Sequence, residues 1–278
     1  MVRQYYVPQV TQISQQELQS VFDVAEPPVC LLGGWAVHFH VNDGFQQEHG
    51  RAYIGSRDID LGIHVDPEWT AEQLTTNSIG RTLEAIEALG YDRSRFGFSQ
   101  AFHRDDNERL STDTARDLPQ HEIFEVYIDI IPDTTDLDPF QDAFGFRPPA
   151  EALLNPVFER DHGQPLSEVV SEDVSADAEI VPPELLAAMK IRSLPDRDKS
   201  HKRIKDVADL HALLWYTKPY NEITTQIQDF VTDDDLHTLE AAITGANATV
   251  FEDAGNLLQI DSETIRASIM RLLSTTPP

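Results

Sequence analysis

Ser56, Asp58 and Asp60 occupy alternate positions in the run GSRDIDLGI. Side chains two apart on a strand point the same way. A strand here would therefore carry one hydroxyl and two carboxylates on one face, while Ile59, Leu61 and Ile63 supply apolar packing. Two carboxylates side by side raise each other's pKa unless a cation sits between them. Oxygen-only ligands with open positions suit Mg²⁺, which keeps waters and recruits phosphate oxygens. Such an arrangement meets the needs of a two-metal phosphoryl or nucleotidyl transfer site.

A third carboxylate is expected from a neighbouring strand. EVYIDII offers Asp129, with Val126, Ile128 and Ile130 on the opposite, apolar face. A charge embedded in such a run is costly unless it is paired or metal-bound. Asp133 follows Pro132 and reads as a turn residue, so Asp129 is the preferred ligand. Gly33 and Gly34 follow the apolar run VCLL and precede an apolar helix. Glycine lets backbone N–H groups approach an anion, and a helix N-terminus adds partial positive charge. A triphosphate could rest there. Each part alone has a plainer reading. A Gly-Gly turn more often serves structure, and an Asp-x-Asp pair can be a solvated strand face or a glycosyltransferase metal site. The order of the parts carries the reading.

The elements that must position these residues follow from the spacing. A helix is expected over 11–25, with Ser14 as N-cap and Pro27-Pro28 as its stop. Strand 29–32, a short helix over 35–41, a loop over 42–50 and strand 58–63 come next. Leu74, Ile79, Leu83, Ile86 and Leu89 predict a helix over 69–89, closed by Gly90. Aromatic alternation predicts a strand over 91–103, a polar loop covers 105–121, and strand 122–131 ends at Pro132. The Pro- and acid-rich segment 133–178 resists assignment. Beyond Pro182-Pro183, helices are expected over 184–194, 202–216, 221–231, 234–243 and 262–273. The fold class is α/β (α+β): a mixed sheet with flanking helices, then a helical domain. The expected domains are 1–150 and 151–278.

LLGGWAV, then GSRDIDLGI, then YIDIIP resembles the nucleotidyltransferase fold of the DNA polymerase beta superfamily over roughly 28–132. GGWAV is similar to aminoglycoside and lincosamide nucleotidyltransferases. The arrangement with a helical second half resembles AbiEii-like toxin nucleotidyltransferases of toxin–antitoxin systems. The resemblance implies transfer of NMP from an NTP to an acceptor, with pyrophosphate released. It implies metal on Asp58 and Asp60, and metal or base chemistry at Asp129. It implies that Gly33 and Gly34 hold the triphosphate. Many superfamily members carry a hydroxyl residue at the turn where this chain has Trp35, and Ser56 is the candidate substitute.

Between Lys190 and Lys205, seven of the chain's 21 basic residues fall within sixteen positions. One reading pairs Lys202 with Asp206 and Lys205 with Asp209 at i,i+4. The other has the island neutralise a triphosphate or an RNA acceptor. AAMKIRSLPDR followed by RIKDVADLHALLW resembles the AbiEii-like helical segment, where a basic residue reaches the nucleotide. By that resemblance Lys190 is the first candidate and Arg197 the second.

Composition narrows the classes. The chain has 278 residues, 48 of them acidic, and a formal net charge of −27. Acidic residues are spread along it and lysine is scarce, a pattern similar to proteins of salt-accumulating halophiles. A broadly basic nucleic-acid coat is excluded. One cysteine, Cys30, excludes an intrachain disulfide framework and a cysteine-based zinc site. Among the ten histidines, His38 and His40 are too close for one helix face, and no metal spacing emerges. No membrane span or signal peptide is visible, so a cytoplasmic protein is expected. The expected function is an Mg²⁺-dependent nucleotidyltransferase with NTP as donor, RNA such as tRNA as acceptor and an antitoxin protein as partner. The alternatives are an antibiotic-type enzyme with a small-molecule acceptor, and a non-catalytic member that binds nucleotide or a partner.

Overall fold

The computed structural model describes residues 5–160, 162–170 and 178–274. In chain order the elements are α1 (Pro8–Val24), β1 (Val29–Leu32), α2 (Gly33–His49), β2 (Ile59–Ile63), α3 (Ala71–Thr76), α4 (Ser78–Ala88) and β3 (Asp92–Arg93). There follow β4 (Gly97–His103), β5 (Arg109–Leu110), α5 (Thr112–Asp117), β6 (Ile123–Pro132), α6 (Asp138–Phe144), α7 (Asn155–Glu159), β7 (Gln164–Pro165), α8 (Leu166–Val169) and β8 (Glu179–Ile180). The chain then runs through α9 (Pro183–Ser193), α10 (Ser200–Tyr216), α11 (Tyr220–Ile227), α12 (Asp233–Ile243), α13 (Thr249–Leu258) and α14 (Ser262–Ser274).

Two compact units emerge, and neither is a continuous stretch. The sheet unit comprises Pro8–Trp35 and Gly55–Val181. The helical unit takes Ala36–Ile54 together with the chain from Pro182 onward. The expected boundary near 150 therefore moves. Segment 151–181 contributes β7 and β8 to the sheet, and most of α2 groups with the later helices.

The sheet is mixed, with strand order β3-β4-β6-β2-β1-β8-β7, and β5 pairs with β4. β2 runs parallel to β6 and antiparallel to β1. Strict alternation on β6 makes one face: Phe124, Val126, Ile128 and Ile130 are buried, while Ile123, Glu125, Tyr127 and Asp129 are half-buried. Phe98 and Phe102 of β4 and Ile59 and Leu61 of β2 are likewise buried. Burying such side chains contributes about 1.5–3 kcal/mol each, which fixes the register that places the polar face.

Several local expectations are corrected. Helix α1 starts at Pro8, so Ser14 is an interior residue and not its cap. Its hydroxyl donates to Arg57 O at 3.0 Å and accepts from Trp35 Nε1 at 3.0 Å. The loop expected over 42–50 is helix as far as His49. Gly44 sits in that helix because a Cβ there would lie 2.8 Å from the Tyr216 carbonyl oxygen. The single helix expected over 69–89 is two, because Asn77 ends α3 and caps α4 by accepting from Ile79 N and Gly80 N. No helix among the described residues is long and apolar enough to cross a membrane.

Candidate carboxylate site

Strand β2 begins at Ile59, so Asp60 lies on it and Asp58 lies in the bend just before. Asp129 lies on β6. In the parallel ladder Asp60 and Asp129 are direct partners. Neighbouring strands are about 4.8 Å apart, so the two carboxylates leave the same face side by side. All three aspartates are half-buried. Gly97 of β4 is the antiparallel partner of Asp129. A Cβ there would come within 2.1 Å of Ile128 O, so glycine lets β4 close on β6 beside the site.

Gly33 opens α2 with φ of +68°. A Cβ on it would fall 1.9 Å from Asp60 Oδ2. The Asp60 carboxylate thus lies against the first residue of a 17-residue helix, where the helix's N-terminal partial charge favours it. Asp60 thus lies against Gly33, one of the two glycines expected to hold a triphosphate. Gly34 follows inside the helix, and Ser56 is buried just ahead of Arg57. The sheet unit therefore brings Gly33, Gly34, Ser56, Asp58, Asp60 and Asp129 into one region of β1, β2 and β6.

Lys190 and Arg197 belong to the helical unit. They meet on Asp206: Lys190 Nζ donates to Oδ1, and Arg197 Nε donates to Oδ2 at 2.6 Å. Lys190 Nζ also lies 3.0 Å from Asp209 Oδ2. Asp209 further receives Lys205 Nζ and, at 2.9 Å, the Tyr53 hydroxyl. Burial works against the Lys190 charge, but Asp206 and Asp209 outweigh it and raise its pKa. Burial also resists the Asp206 charge, and Lys190 with Arg197 prevails, so its pKa is lowered. At Lys205 burial wins and its pKa is lowered. Of the two expected i,i+4 pairs, Lys205 with Asp209 is made, and Asp206 holds Lys190 and Arg197.

Two arrangements beside the carboxylates went unread in the sequence. Arg57 Nε donates to Glu125 O at 2.6 Å, and its guanidinium lies 5.7 Å from the Tyr127 ring centroid. Where β2 and β6 end, Asp133 is buried, accepting from His64 Nδ1 at 2.6 Å and Val65 N at 2.9 Å. The His64 pKa is raised, chiefly by that hydrogen bond. The turn reading of Asp133 holds, and its partner is a histidine that no spacing rule selects.

Neither a family model nor a curated protein matches the chain. Among solved structures it is similar to an antigenic nucleotidyltransferase-like protein from Paracoccidioides brasiliensis. The two are 17% identical, with 89% of this chain and 98% of that one covered, at a TM-score of 0.36.

The donors suit a hard cation in kind, since all three are carboxylates, Asp60 on β2, Asp129 on β6 and Asp58 in the bend before β2. Among the described residues, no group of three or more His, Cys, Asp and Glu side chains is already gathered into a cation-holding cluster. Asp58, outside the ladder, is the member whose backbone the strand register does not fix.

Proposed function

We propose that this protein is an Mg²⁺-dependent nucleotidyltransferase. The register of Asp60 against Asp129, with Asp60 seated on Gly33, carries this reading. Asp58, Asp60 and Asp129 would hold the Mg²⁺, which supplies Lewis acidity toward phosphate oxygens. Gly33 fixes where Asp60 stands, and β6 fixes where Asp129 stands. Attack of an acceptor hydroxyl forms a new O–P bond at the α-phosphorus, and the bond to the β-phosphate oxygen breaks. Pyrophosphate leaves, and the hydroxyl proton passes to a carboxylate of this face.

The acceptor proposed is RNA, tRNA by class, in a toxin–antitoxin setting with an antitoxin partner. The basic island supports this through its outward members Arg192 and Lys199, both exposed. A second reading, a small polyol acceptor, is favoured by the internal pairing of Lys190, Arg197 and Lys205. Those cations neutralise Asp206 and Asp209 before any nucleic acid arrives.

Label transfer tests both readings. The protein is incubated with Mg²⁺, each α-labelled NTP and total RNA, beside Asp60→Asn and Asp129→Asn. Label in RNA with the unaltered protein alone is the expected result. Label in neither RNA nor a panel of aminoglycosides and lincosamides overturns transfer as the function.

A further inference from the structure

Arg57 is out of keeping with its surroundings. The chain carries a net charge of −27, and Arg57 stands between Ser56 and Asp58 with Glu125 close by. Five other arginines of the sheet unit, Arg81, Arg93, Arg109, Arg116 and Arg147, each hold a carboxylate, while Arg95 and Arg104 lie over the Phe96 and Phe124 rings, away from Asp58, Asp60 and Asp129 in sequence. Among the described residues, the Arg57 guanidinium makes no ion pair. Its contacts are the Glu125 carbonyl oxygen, taken by Nε, and the Tyr127 ring. Among the described residues, both terminal nitrogens keep their donors.

The support beneath it is built. Tyr127 is half-buried, and its hydroxyl donates to the Glu125 carboxylate. The ring is held from one end and the guanidinium from the other, both by Glu125. Tyr127 and Asp129 are two apart on β6 and share a face. Their Cα atoms are about 7 Å apart at the usual strand rise. A guanidinium over Tyr127 therefore shares the β6 face that carries Asp129.

We infer that Arg57, stacked on Tyr127, is the arginine that binds the phosphate chain of the nucleotide. The inference rests on the nucleotidyl-transfer reading and names a group for the end of the donor that the three aspartates repel. A guanidinium offers a planar fork to two phosphoryl oxygens, which an ammonium cannot match. Stacking holds the fork in place before the ligand arrives, so less side-chain freedom is lost on binding.

The experiment is titration with ribose-labelled fluorescent ATP, GTP, CTP and UTP in Mg²⁺, with inorganic tripolyphosphate as competitor. The unaltered protein is compared with Arg57→Ala, Arg57→Lys and Tyr127→Leu, each first shown to unfold cooperatively. Arg57→Ala should weaken the preferred NTP by about tenfold or more and tripolyphosphate by a similar factor. Arg57→Lys should recover only part of the loss, and Tyr127→Leu should fall between. Unchanged nucleotide binding in both Arg57 variants overturns the inference and leaves nucleotidyl transfer standing. Weakened nucleotide with unchanged tripolyphosphate also overturns it, since the guanidinium then serves the base or ribose. Failure of the unaltered protein to bind any NTP overturns the function and this inference together.

Discussion

A single missing side chain sets the geometry of Asp60. Gly33 has φ of +68°, and the volume a Cβ would take is filled by Asp60 Oδ2. Gly33→Ala should therefore do two separable things. Backbone strain in the left-handed region should cost about 1–2 kcal/mol, and the carboxylate should be pushed off its position. Gly50 is the control, because it also has φ of +68° but nothing lies within 4 Å of its Cβ position. Gly50→Ala should lower stability by a similar amount and leave label transfer intact, whereas Gly33→Ala should cut transfer by about a hundredfold or more. Equal activity in the two variants would show that Asp60 is not placed by Gly33. His64 gives a residue-scale test by pH. Its pKa lies above the ordinary 6.5 because Asp133 holds the protonated ring. The folded state then binds a proton that the unfolded state gives up sooner, so the pair's stabilisation is complete below pH 6.5 and fades as pH rises through the raised value. The difference in melting temperature between the unaltered protein and His64→Gln should shrink from pH 6 towards pH 9. A gap that widens over that window would refute the assignment.

At the scale of elements, what the sequence made legible was whatever depended on alternation. Val126, Ile128 and Ile130 are buried with Asp129 on the other face, as period-two patterning requires. Helices α9, α10, α12 and α14 follow their apolar periodicity to within a few residues. Tertiary close approach was not legible. Gly44 reads as a turn residue locally, yet it lies inside α2 because Tyr216 leaves no room for a side chain. The same limit hid Arg57 on Tyr127 and His64 on Asp133, which are 70 and 69 positions apart in sequence. The basic island shows the limit in its strongest form. Its charge run reads as i,i+4 helix pairs or as ligand-facing; Lys205 with Asp209 is such a pair, and what the run does not reveal is that Lys190 and Lys205 are buried against α10 carboxylates. Removing one member of a buried pair strands the others, at about 3–5 kcal/mol. Asp206→Asn, which leaves Lys190 and Arg197 without their shared carboxylate, should lower unfolding free energy in urea by that order. Lys199→Ala, at an exposed position of the same island, should change it by less than about 0.5 kcal/mol. Equal effects would mean that the network does not hold the helical unit together.

For the whole molecule, the dominant number is a net charge of −27 on 278 residues. At about 0.1 M salt the Debye length is about 10 Å, so charges on neighbouring surface elements repel across a shared solvent layer. In molar salt it falls to about 3 Å, and the same charges cease to interact beyond contact. Buried pairs such as Lys190 with Asp206 are screened far less, so added salt should relieve the repulsion and leave the internal network in place. Adaptation to molar salt, separate from the proposed chemistry at Asp60 and Asp129, is the reading of the acid excess that melting in KCl tests. The melting temperature should fall steeply as KCl is lowered from about 2 M to about 0.1 M, and Mg²⁺ at millimolar concentration should not replace the lost KCl. If melting is indifferent to KCl, the charge has another use, and a cationic partner that covers the acidic surface becomes the reading to test. If Mg²⁺ alone restores stability at low salt, and Asp60→Asn removes that effect, the acid excess and the carboxylate site are coupled through one ion.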